Sequence, residues 1–70
     1  MMKENIVQTL KMHYGVSECV IYERVSYLEV MCLGGDSDFV CMALQQICNT
    51  DKVKVLRSGG GSYLIGVELI

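Results

Sequence analysis

A chain of 70 residues with a formal net charge of −2 and a pI near 5.1 is expected to form one small domain, residues 1–70, and its slightly acidic balance offers no global attraction for phosphate backbones. No apolar run approaches the roughly 18 residues of a membrane span, and the start, Met1-Met2-Lys3-Glu4-Asn5, lacks the apolar core of a signal peptide, so the expected location is the cytoplasm. Hydrophobic residues make up 51% of the chain, more than so short a polymer is expected to enclose alone, which points to a surface for self-association or for a partner.

Residues 3–14 read as a helix. Ile6, Val7, Leu10 and Tyr14 recur at helical spacing among Lys3, Glu4, Gln8 and Lys11. Gly15 stands where a cap glycine is expected, and His13 suits the negative end of the helix dipole. Residues 18–33 are rich in β-formers, but a single strand of that length would reach about 50 Å. A domain of this size has a radius of gyration near 11 Å, so the run must fold back. The weakest β segment, Glu23-Arg24-Val25-Ser26, is the expected turn.

Gly34-Gly35 ends the second strand, and Asp36-Ser37-Asp38 opens a second helix with favoured capping residues. Val40, Ala43, Leu44 and Ile47 form its apolar stripe, and Asn49 is a left-handed stop. Residues 52–57 alternate as a half-buried strand, Ser58 to Ser62 read as a five-residue loop, and residues 63–70 as a final strand. The order αββαββ implies an α+β fold: a four-stranded, mostly antiparallel sheet with both helices on one face. A crossover from the second to the third strand leaves room for the fourth, giving the spatial order 1-2-4-3.

Little in the chain points to catalysis, and none of it assembles an active site. His13, the single histidine, has no neighbour placed to orient it as a base. Asp36 and Asp38 are explained by capping. Gly34-Gly35 and Gly59 to Gly61 match neither glycine-rich phosphate motif. Cys19, Cys32, Cys41 and Cys48 lack a closely spaced ligand pair, so thiols acting as small hydrophobes are expected rather than zinc ligands or disulfides. The expectation is therefore no enzyme, no cofactor and no metal.

The sheet face turned away from the helices carries the candidate site. If Leu28, Val30 and Cys32 point inward with Val53, Val55, Ile65, Val67 and Leu69, the alternation turns Tyr27, Glu29, Met31, Leu33, Lys52, Lys54, Leu56, Leu64, Glu68 and Ile70 outward. The first strand is ambiguous, with Tyr22 able to join Tyr27. Tyr22, Tyr27, Glu29, Met31, Lys54, Leu56 and Leu64 are the candidate partner-binding residues, because aromatics and methionine within a polar rim suit a protein interface. The leading reading is a non-catalytic adaptor or inhibitor of another protein, self-associating as a homodimer. Two alternatives stand beside it. One is a nucleic-acid binder using Lys52, Lys54, Arg57 and the glycine loop; the other is a small-molecule sensor. The uncharged first strand, Cys19 to Tyr22, is a second docking route.

Overall fold

A computed structural model describes residues 2–69. The elements follow the expected order: α1 (Met2–His13), β1 (Glu18–Glu23), β2 (Tyr27–Leu33), α2 (Ser37–Cys48), β3 (Val53–Gly59) and β4 (Ser62–Glu68). The strands form one sheet in the order β1-β2-β4-β3, and every neighbouring pair is antiparallel. The fold is α+β, and its strand order is the one the crossover argument gives.

Both helices lie on one face because that face carries the apolar half of each strand. Leu28, Val30 and Cys32 of β2 and Tyr63, Ile65 and Val67 of β4 are buried there. Ile6 and Leu10 of α1 and Val40, Ala43 and Leu44 of α2 join them in one cluster. Each helix contributes residues three and four apart, one stripe of an amphipathic surface. The caps of α2 behave as expected: the Asp36 carboxylate accepts from the N–H groups of Asp38 (2.9 Å) and Phe39 (3.3 Å). Asn49 closes the helix at φ 54°, ψ 49°.

Gly34 and Gly35 are explained by packing between two chain segments. Both have positive φ. A Cβ on Gly35 would sit 2.7 Å from the Tyr14 carbonyl oxygen, so only glycine lets the backbone after β2 pass the end of α1. Tyr63 fastens the same place: its hydroxyl donates to the Gly34 carbonyl at 2.7 Å. Burial, with help from Cys32, pushes the Tyr63 phenol up to about 12.

Four expectations need correction. The five-residue loop at 58–62 is a two-residue turn. Gly60 and Gly61 take φ of 61° and 84°, which suits a tight hairpin, so Ser58 and Gly59 remain paired with Tyr63 and Ser62. Val55, expected inward, keeps 37% of its surface, because β3 is an edge and α2 covers Val53 more than Val55. A bulge between Val55 and Arg57 breaks the alternation, so Arg57 aligns with Leu64 on the outer side. Leu69, also expected inward, follows the end of β4 and is exposed; its N–H donates to Ser26 at 3.0 Å. Ile70, expected outward, lies outside the described residues.

Candidate functional site

The outer sheet face is built by register. Cα partners across antiparallel strands share a face, so the ladder sets which side chains meet. Val20 lies opposite Met31, Met31 opposite Leu64, and Leu64 opposite Arg57. The next row is Tyr22, Glu29, Gly66 and Lys54. Beyond it, Tyr27 faces Glu68, and on the other side Leu33 faces Ser62. The register therefore brings six of the candidate residues, Tyr22, Tyr27, Glu29, Met31, Lys54 and Leu64, together on this face, and Leu56, which has no partner in the ladder, joins them by lying over Gly66. The ambiguity of β1 is resolved: Cys19 and Ile21 pack toward the core, and Val20 and Tyr22 stand outward.

Gly66 shapes the centre. It has no side chain where its row would carry one, leaving a shallow trough between β2 and β3 lined by Tyr27, Glu29, Lys54 and Leu56. Leu56, the bulge residue, leans over Gly66, with its Cδ1 3.0 Å from where a Cβ would be. An open trough with apolar walls and carboxylate and ammonium groups on opposite sides suits side chains of a protein partner better than an enclosed small ligand.

The charged rim is partly ordered. Arg24 brings Nε (2.8 Å) and Nη2 (2.7 Å) onto one oxygen of Glu29, and its guanidinium lies 5.4 Å from the centre of the Tyr22 ring. The hydrogen bond and charge of Glu29 push the Arg24 pKa up. Val20, Arg24 and Gly66 belong to this face and were not among the candidates. Val20 follows from the alternation once Tyr22 is known to be outward. Arg24 carried no periodic signal, because it lies beyond the end of β1.

The remaining reactive groups do not assemble. Cys19 and Cys32 are cross-strand partners. Their mutual hydrogen bond lowers the pKa of Cys19 and raises that of Cys32, with burial raising Cys32 further. Burial also raises Cys41 and Cys48. His13 is exposed at the end of α1, and Asp36 is engaged as a cap. Among the described residues no group of three or more metal-ligating side chains comes together, and no helix is long and apolar enough to cross a membrane.

Comparison with protein-family models, with curated proteins and with solved structures gives no match. The functional reading therefore rests on the surface itself.

Proposed function

We propose that this protein is a non-catalytic interaction module, an adaptor or inhibitor that works in the cytoplasm, self-associates, and docks a larger protein on the outer face of its sheet. The observation that carries the reading is the outward row Val20–Met31–Leu64, exposed at Val20 and Met31 and half-buried at Leu64, flanked by Tyr22, Tyr27, Leu33 and Leu56 and rimmed by charges of both signs. Aromatic residues and methionine at the centre of a patch, with arginine and carboxylates around it, are the composition of protein interfaces. The test is a paired capture and melting experiment on Tyr27→Lys with Met31→Lys. A partner retained by the native protein is expected to be lost by the double variant while the melting curve stays in place. Undiminished capture by a folded double variant would overturn the reading.

A specific feature also favours nucleic acid as a second reading. Lys52, just before β3, and Lys54 and Arg57 within it are all exposed, and the bulge turns Arg57 to the same side as Lys54. Three cations on one edge would give binding that weakens steeply with salt. A gel-shift series at low ionic strength with no retained complex eliminates it.

A further inference from the structure

The free edge of β1 has the symmetry of its own partner. Arg24 donates to Tyr27 across the hairpin end, so the even-numbered residues of β1 bond to β2. The backbone N–H and C=O groups of Cys19, Ile21 and Glu23 therefore face away from the sheet. No charged side chain interrupts this edge between Glu18 and Glu23, whereas β3, the opposite edge, carries Lys54, Arg57 and a bulge.

Helix α1 runs antiparallel above this edge. Lys3 lies 3.6 Å from Glu23, and the charge of Lys11 reaches Cys19. Lys3 to Lys11 is about 12 Å of helix, and Glu23 to Cys19 is about 13 Å of strand. The two spans match, so Val7 sits over Ile21, midway along both. Glu4, Val7, Gln8 and Lys11 line the groove between helix and edge strand.

We propose that two copies of this chain pair through β1, antiparallel, about a two-fold axis passing through Ile21 and Val7, to form a continuous eight-stranded sheet. The register is selected by faces and charges. Pairing must keep core-facing residues opposite core-facing residues, which leaves axes through a residue rather than between two. With the axis at Ile21, Glu18 meets the second copy's Arg24, and Val20 meets Tyr22. Above them Val7 meets Val7, so Lys11 of each α1 comes level with Lys3 and one residue from Glu4 of the other; Lys3 is held by its own Glu23, which leaves Glu4 as the partner of Lys11, and helices at the usual separation of about 8–10 Å close the groove. Moving the axis to Val20 or Tyr22 sets Glu18 against Tyr22 or Ser26 and separates Glu4 from Lys11. The inference rests on the self-association named above and is independent of what the outer sheet face binds.

The test is a charge exchange read by light scattering after size-exclusion chromatography. Glu4 and Lys11 are exposed, and neither takes part in an ion pair within the chain among the described residues. The native protein is expected at twice 7.8 kDa. Glu4→Lys or Lys11→Glu alone places two like-charge pairs at the interface and should weaken dimerisation about tenfold. The double variant restores the pairs and should recover the dimer. A folded double variant no tighter than the singles overturns the proposal. A dimer indifferent to the single variants but dispersed by Met31→Lys also overturns it, placing self-association on the outer face. A native protein that stays monomeric at every concentration overturns both this interface and self-association.

Discussion

The two faces of the sheet are made from the same strands and nearly the same residue types, yet they have opposite fates. On the inner face, Val30, Ile65 and Val67 have no accessible surface; on the outer face, Met31 keeps 39% and Leu33 44%. What separates them is cover: two helices close the inner face, and nothing among the described residues closes the outer one. Apolar character alone thus does not tell a core from a docking surface in this chain. The distinguishing property is whether truncation leaves a cavity.

The largest effect should come from Ile65→Ala. It opens a cavity in the centre of the core and should cost about 3–4 kcal/mol, close to the whole stability of a domain this small. Urea denaturation followed by circular dichroism would check it. Gly35→Ala comes next: the positive φ and the Tyr14 carbonyl together should lower the melting temperature by roughly 10 °C.

Tyr63→Phe should cost about 1 kcal/mol through loss of the bond to Gly34. Because the folded phenol is raised to about 12 from an ordinary value of 10, its contribution is present below pH 10 and is lost as pH rises through 12. An alkaline melting series should show that loss in the native protein and a flatter profile in Tyr63→Phe.

The outer face should respond differently. Tyr27→Lys and Met31→Lys should each move stability by no more than about 0.5 kcal/mol, because no cavity forms. Gly66→Ala should raise stability slightly, by about 0.5 kcal/mol, since its φ suits alanine and the Leu56 side chain can shift. The same methyl group fills the trough, so partner affinity should fall while the melting temperature does not. A fall in stability of several kcal/mol from an outer-face variant would erase the distinction between the faces.

The second contrast is between the edges. β3 has Lys54, Arg57 and a bulge; β1 has an unbroken row of free backbone groups under α1. The charge exchange at Glu4 and Lys11 sharpens that contrast, because it alters no residue of either strand.

Local signals in the chain determined a good deal. The 3.6-residue stripes gave both helices, and Asp36 and Asn49 gave the limits of α2, because capping depends on neighbours within a few residues. Alternation in β2 and β4 placed Tyr27, Glu29, Met31 and Leu64 on the outer face, and the start of β3 added Lys54; Tyr22 stayed ambiguous until β1 was paired, and Leu56 lies at the bulge. Chain length against domain size required the turn before Tyr27, and crossover geometry gave the strand order. Tertiary structure decided the rest. Gly59, Gly60 and Gly61 stand in a row, and only pairing with β4 decides that the last two of them make the turn. The bulge at Leu56 is a matter of pairing with β4, and no periodicity within β3 announces it. The exposure of Val55 depends on how far α2 reaches across the sheet. The match of Lys3–Lys11 to Glu23–Cys19 exists only once helix and edge strand lie side by side: spacing along a chain is set by covalent geometry, but facing partners are set by packing.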